Sequence, residues 1–261
     1  MVWWAYTEAS MKVSIVISIY QSYEVVRRQY LHFQKMHLPN DVEIIFVDDG
    51  SDPPITTPCD SLPNFAIYPT HNTLAWTQGI GRNLGASKAI GKYLFMTDID
   101  HIISKEAIMA ARVYTGDYML FRRFFGVLLE DGTFTQDINT LIQYGFDPIR
   151  LEIGRGLYAS VHQNTFVIRK SIFDELGGYD PRHSLVGYHP ITRRGDDVYF
   201  HAKWKRWEFE NNGQTAEGPP IYMFPIGRYH IRGETNPMGM FHNLSYDGKT
   251  RRQKGEEHAA N

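Results

Sequence analysis

Val42–Pro54 reads VEIIFVDDGSDPP. A mainly apolar, β-branched run stops abruptly at two aspartates, a glycine and, two residues on, an Asp-Pro-Pro breaker. That is the pattern of a strand covered on both faces and cut off by a turn. Upstream, Val13–Ile19 (VSIVISI) is a second such run. Between them Ser22 is placed to cap a helix whose Val26, Tyr30 and Phe33 share one face. Downstream, Phe65–Tyr68 is a short third strand, and Ile80 and Leu84 predict a helix through Ala89. Tyr93–Met96 is a fourth strand, running into Thr97-Asp98-Ile99-Asp100. This β-α-β-β-α-β order predicts an α/β fold with a parallel, doubly wound sheet. Such sheets bind ligands beyond the carboxyl ends of their strands, so the acids at 48–49 and 98–100 are expected in one crevice.

The second half is less regular. Tyr118–Phe125 and Val127–Gln136 read as strands, the latter pair turned by Asp131-Gly132. Phe166–Ile168 is a short strand before a helix at Lys170–Leu176, stopped by Gly177-Gly178. Asp197–Glu208 reads as a helix, with Phe200, Trp204 and Trp207 at core-facing spacing. After Pro219 the periodicity fades, and residues 247–261 are a polar tail.

The bulk composition excludes several classes. The chain has 261 residues, 43% hydrophobic and 21% charged, which suits one globular α/β domain. A net charge of −2 gives no global field for nucleic acid. The single cysteine, Cys59, rules out an internal disulfide framework and suits a cytoplasmic, soluble protein. No apolar run approaches the roughly 18 residues of a membrane span.

Asp98 and Asp100 carry the sharpest chemistry. In extended chain, residues two apart point to the same side. Two carboxylates there can hold a hard divalent cation, Mn²⁺ or Mg²⁺, against a diphosphate. His101 follows directly, but strict alternation turns its ring away from the acids.

Ser18-Ile19-Tyr20, Asp48-Asp49-Gly50-Ser51, Gly81-Arg82-Asn83-Leu84-Gly85, Asp98-Ile99-Asp100, Gly177-Gly178-Tyr179-Asp180 and Gly195-Asp196-Asp197 occur in that order. Over residues 12–205 the chain thereby resembles family 2 glycosyltransferases of the GT-A fold. The resemblance implies a Rossmann-like, mainly parallel sheet flanked by helices, with a smaller acceptor-side subregion. It divides one domain into a nucleotide-binding half (11–100), an acceptor-side half (101–246) and the tail. It implies a nucleotide-sugar donor, UDP-linked, with Ser18, Tyr20, Asp48, Asp49, Arg82 and Asp98 as nucleotide-binding residues. Asp48 or Asp49 would accept from the base, Arg82 would contact the base or pyrophosphate, and Asp98 the ribose. The implied metal ligands are Asp98, Asp100 and, from the later segment, His230. Asp197 matches the family's general base for inverting transfer, with Asp196 as its competitor. Two positions depart from the family pattern: Asp196 stands where a Glu is usual, and Tyr199 where many members have a second Asp.

Three other functions fit parts of the pattern. Arg193-Arg194, Lys203-Lys205-Arg206 and Lys249–Lys254 leave open a polyanionic acceptor, as in a phage-type enzyme glycosylating hydroxylated DNA bases. A nucleotidyltransferase also uses paired Asp and a metal, but Tyr20-Gln21-Ser22-Tyr23 replaces its glycine-rich, basic loop. A non-catalytic nucleotide-sugar-binding protein would keep the binding residues alone.

Overall fold

The computed structural model describes residues 11–57, 62–71, 78–185 and 196–225. His230, the Gly195 of the Gly-Asp-Asp segment and the 247–261 tail lie outside the described residues. The first half contains β1 (Val13–Ile19), α1 (Tyr23–Met36), β2 (Val42–Asp48), β3 (Phe65–Pro69), α2 (Gln78–Lys88) and β4 (Tyr93–Asp98). The second half contains β5 (His101–Ile102), α3 (Lys105–Val113), β6 (Tyr118–Phe125), β7 (Val127–Leu128), β8 (Phe134–Thr135), α4 (Ile138–Gln143) and α5 (Ile149–Glu152). There follow β9 (Tyr158–Arg169), α6 (Lys170–Glu175), α7 (Arg182–Leu185), α8 (Asp196–Asn211) and β10 (Thr215–Met223).

One sheet carries eight strands in the order β3-β2-β1-β4-β9-β6-β10-β5, and β7 pairs with β8 apart from it. The first four are mutually parallel, and β9 enters antiparallel between β4 and β6. Strand alternation sorts side chains to two faces. Val13, Ile15, Ile17 and Ile19 pack with residues of α1 and α3, whereas Val16 packs with residues of α2, α6 and α8. Ser14 and Ser18 share the parity of Val16, so Ser18 points to the side of α2.

Helix α2 forms as expected, but its buried stripe is Gly79, Gly81, Arg82, Gly85 and Ala86 rather than Ile80 and Leu84. The reason is close approach. A Cβ on Gly85 would lie 2.4 Å from Val16 Cγ1, and one on Gly81 2.9 Å from Ser18 Oγ. Ser22 stands at the N-cap of α1, yet its Oγ donates to Tyr20 O rather than accepting from the helix.

The second half departs further from expectation. The Val127–Gln136 hairpin keeps only two residues per strand around its turn. The Phe166–Ile168 strand is the end of the twelve-residue β9, whose polar first half hides its pattern. The segment around Pro219, read as aperiodic, is β10. Its register shifts between Gly218 and Ile221, where Pro219 and Pro220 have no N–H to give a ladder. Among the described residues β5 pairs only with Tyr222 and Met223 of β10, so among these residues the prolines lie on an open edge.

The sheet must curl. β4 and β5 stand four ladder steps apart, about 19 Å on a flat sheet. Only three residue steps lead from Asp98 to His101, a reach of about 10 Å. The curl carries the acidic turn back over the carboxyl end of β4, against β6 and β9.

The tight seat of α2 has a measurable sign. Gly→Ala in an exposed helix interior gains about 1 kcal/mol. At Gly85 the methyl meets Val16, and overpacking costs about 1–3 kcal/mol. Gly85→Ala is therefore expected to lower stability in a urea titration; a midpoint at or above wild type would show that the approach is not limiting.

Candidate active site

The acids meet at the carboxyl edge of the parallel strands. Register pairs Ser18 with Asp98 across β1 and β4, and Ile19 with Asp48 across β1 and β2. Asp98 Oδ1 accepts from Arg82 Nη2 at 2.5 Å and from Gln78 Nε2, and its Oδ2 accepts from Asn164 Nδ2 at 3.0 Å. Its orientation is thus set by α2 and β9.

Arg82, expected at the base or pyrophosphate, is only 1% exposed. The glycine face lets α2 settle so deeply that the guanidinium is enclosed. It donates to Tyr179 Oη at 2.7 Å and to Asn164 O at 3.3 Å as well as to Asp98. Burial is the largest single effect on it and acts downward. The charges of Asp98 and Asp196 and the neighbouring Tyr179 outweigh it and hold Arg82 above its ordinary value. Burial likewise drives Tyr179 upward, with Arg82 opposing.

Asp48 is buried, and its two carboxylate oxygens accept from Ser51 N at 3.0 Å and Ile55 N at 2.9 Å. These contacts hold the loop after β2 and leave each carboxylate oxygen a further acceptor position. Asp49, also buried, has its Oδ1 3.3 Å from Thr70 Oγ1. Tyr20 is 4% exposed and Ser18 9%. Asp48, Ser51, Ile55, Thr57, Ile67 and His71 line a cavity of about 240 Å³ beside the ends of β2 and β3.

Past Asp98 the chain turns, so alternation fails. His101 faces the acids: its Nδ1 is 3.9 Å from Asp98 Oδ2 and 3.9 Å from Asp100 Oδ1. Asp98, Asp100 and His101 offer ligand atoms all within 4.8 Å of one another. Hard carboxylates suit Mn²⁺ or Mg²⁺, and Asp100, with the more exposed side chain at 22%, is the better presented of the two.

Asp196 and Asp197 open α8. Asp196 is 4% exposed, and a Cβ on Gly79 would stand 3.1 Å from its Oδ2. Its Oδ1 accepts from Asp197 N at 3.1 Å, while Asp197 itself is half-buried. An aromatic series holds this helix to the sheet. Ring centroids run from Trp204 to Tyr118 at 4.5 Å, Tyr118 to Phe166 at 5.0 Å, Phe166 to Phe200 at 5.4 Å and Phe200 to Tyr179 at 4.6 Å. Arg82 lies 5.3 Å over the Tyr179 ring. The α8 cations are engaged locally: Lys203 donates to Leu176 O and Gly178 O, Lys205 pairs with Glu208 and Arg206 with Glu210.

The family model for glycosyl transferase family 2 matches residues 14–177, more than half of the chain. The chain belongs to glycosyl transferase family 2. The match covers both strand-end acid groups and stops before α8, so Asp196 and Asp197 lie beyond it. No curated protein matches in sequence. Among solved structures, residues 1–349 of S. aureus TarS are 15% identical, with a TM-score of 0.50 over 84% of this chain and 62% of that one. A mannosyltransferase from Pyrobaculum calidifontis in complex with GDP-Man and Mn²⁺ is 10% identical, with a TM-score of 0.50 over 82% of this chain and 56% of that one. At these identities the likeness establishes the GT-A fold. The family 2 chain spans under two thirds of the length of either structure.

Gln78, Asn164 and Tyr179 were not singled out for the site by sequence. Of these, only Tyr179 sits in a quoted segment, Gly177-Gly178-Tyr179-Asp180. Removing one partner from a buried charged pair costs about 3–5 kcal/mol. Arg82→Met is expected to lose stability on that scale in chemical denaturation; a loss near zero would mean that Arg82 does not organise the site.

Proposed function

We propose that this family 2 protein moves a sugar from a nucleoside diphosphate sugar, UDP-linked, to an acceptor hydroxyl with inversion at the anomeric carbon. The observation that carries the reading is the pairing of Asp98 and Asp100 at the carboxyl end of β4, with Asp196 at the start of α8 near enough to Arg82 for its charge to act on the guanidinium. The donor's nucleotide would lie along the ends of β1 and β2, near Ser18, Tyr20 and Asp49. Asp48 contributes through the loop it holds. Arg82 acts on the donor through Asp98, whose oxygens it orients.

Asp100, with Asp98 beside it, would hold Mn²⁺ or Mg²⁺, and His230 is the further ligand implied by family resemblance. When bound, the cation would offset the charge of the departing diphosphate. The acceptor oxygen attacks C1, the C1–O bond to the diphosphate breaks, and its electron pair leaves with the nucleotide. Asp197 takes the acceptor proton. It is the more open of the two α8 acids, whereas Asp196 is turned against Gly79.

A panel of UDP- and GDP-sugars, with and without Mn²⁺, tests donor and metal together by thermal shift. Asp100→Ala is expected to abolish metal-dependent donor binding in calorimetry; unchanged affinity would remove the metal role. Asp197→Asn is expected to keep donor affinity and lose about 10²–10⁴ in kcat. A dead Asp196→Asn beside an active Asp197→Asn would move the base to Asp196. Donor binding with neither transfer nor donor hydrolysis in the wild type would make the protein a binder.

A further inference from the structure

His101 is not needed by the reaction just described, yet it is among the most enclosed polar side chains in the molecule, at 1% exposure. Its ring lies between a cation and two acids. Arg123 of β6, itself buried, places Nη1 2.7 Å from His101 Nε2. Arg123 is anchored by two further contacts, from Nη2 to Ser160 Oγ and from Nε to Ser160 O at 3.3 Å. On the other side His101 Nδ1 is 2.9 Å from Thr165 Oγ1, which in turn is 3.0 Å from Thr97 Oγ1.

A guanidinium has five N–H donors and no acceptor. A contact at 2.7 Å with Arg123 is therefore a hydrogen bond only if Nε2 carries a lone pair. The ring proton must then sit on Nδ1, the nitrogen that faces Thr165, Asp98 and Asp100. A protonated Nδ1 cannot ligate a cation. By distance alone His101 completes a three-ligand group with the two acids; by hydrogen-bond chemistry it does not.

We propose that Arg123 fixes the tautomer of His101, so that His101 gives its Nδ1–H to Thr165 beside the acid pair and is thereby withheld from a cation bound there. A cation held by Asp98 and Asp100 would then take no ligand from His101. The metal part of this inference rests on the proposed function; the tautomer does not, and is measurable with no metal or donor present.

The first measurement is long-range ¹H–¹⁵N correlation of the full chain at neutral pH, with the His101 ring assigned through contacts to the Thr165 methyl. The expected spectrum has a protonated Nδ1 and an unprotonated Nε2, unchanged on titration with Mg²⁺ alone. A proton on Nε2, a doubly protonated ring, or loss of the Nδ1 proton as Mg²⁺ is added would each overturn the proposal. The second measurement is the affinity for Mn²⁺ alone, read from the free Mn²⁺ signal in electron paramagnetic resonance. Arg123→Met frees the ring to present an Nδ1 lone pair and is expected to tighten Mn²⁺ binding on the order of 10-fold, the scale on which groups behind a metal ligand act. Arg123→Lys retains a donor to Nε2 and is expected to restore both the wild-type ring spectrum and the weaker affinity. Equal ring spectra in Met and wild-type proteins would overturn the role of Arg123. Absence of any Mn²⁺ binding alongside the expected ring spectrum would instead count against the metal reading alone.

Discussion

The site depends on one enclosed guanidinium. Arg82 joins three parts of the fold: it donates to Asp98 at the end of β4 and to Tyr179 before α8, and it lies within the electrostatic reach of Asp196 on α8. Taking a guanidinium out of water costs several kcal/mol unless its donors and charge are met. Here Tyr179, Asp98 and Asn164 O accept from its two terminal nitrogens and the charges of Asp98 and Asp196 oppose its own, while Nε has no hydrogen-bond partner among the described residues. The same requirement explains the glycines of α2. Without the approach they allow to Val16 and Ser18, the arginine could not reach the acid at the strand end.

That constraint divides the work of the two acids on the Asp98-Ile99-Asp100 turn. Asp98 accepts from Arg82 and Gln78 of α2 and from Asn164 of β9, so its direction is held by two elements. Asp100 lies beyond the strand, and its carboxylate is the more exposed. One acid is built into the scaffold, and the other is presented to whatever enters the crevice. Acids of similar composition two positions apart thus differ because one ends a strand and the other occupies a turn.

The curl of the sheet brings the second half of the chain to the same place. Arg123 from β6 and Thr165 from β9 both reach His101, which leads into β5 directly after the acidic turn. On a flat sheet β9 would still adjoin β4, but β6 would stand two ladder steps from it and β5 four. The stacked rings from Trp204 to Tyr179 then fix α8 against the opposite face. Asp196 and Asp197 are placed by this packing, outside the segment that carries the family match.

The first hundred residues were largely legible in the sequence. Buried strands such as Val13–Ile19 and Val42–Asp48 are continuous apolar runs, and breakers mark where they end. Order alone then gave a parallel sheet with its acids at one edge. The second half was less legible for identifiable reasons. β9 begins with polar residues, β10 contains two prolines, and both are strands only because partners supply the ladder. The roles of Arg82, Asp48 and His101 were also invisible locally. A residue type states what a side chain can donate or accept; what it meets depends on depth and on distant neighbours. Local pattern determined the strands, the turns and the chemical kinds of residue at the crevice. Tertiary structure decided that Arg82 serves Asp98, that Asp48 holds its own loop and that His101 faces the acids, because burial requires each polar group to find its partner within the protein.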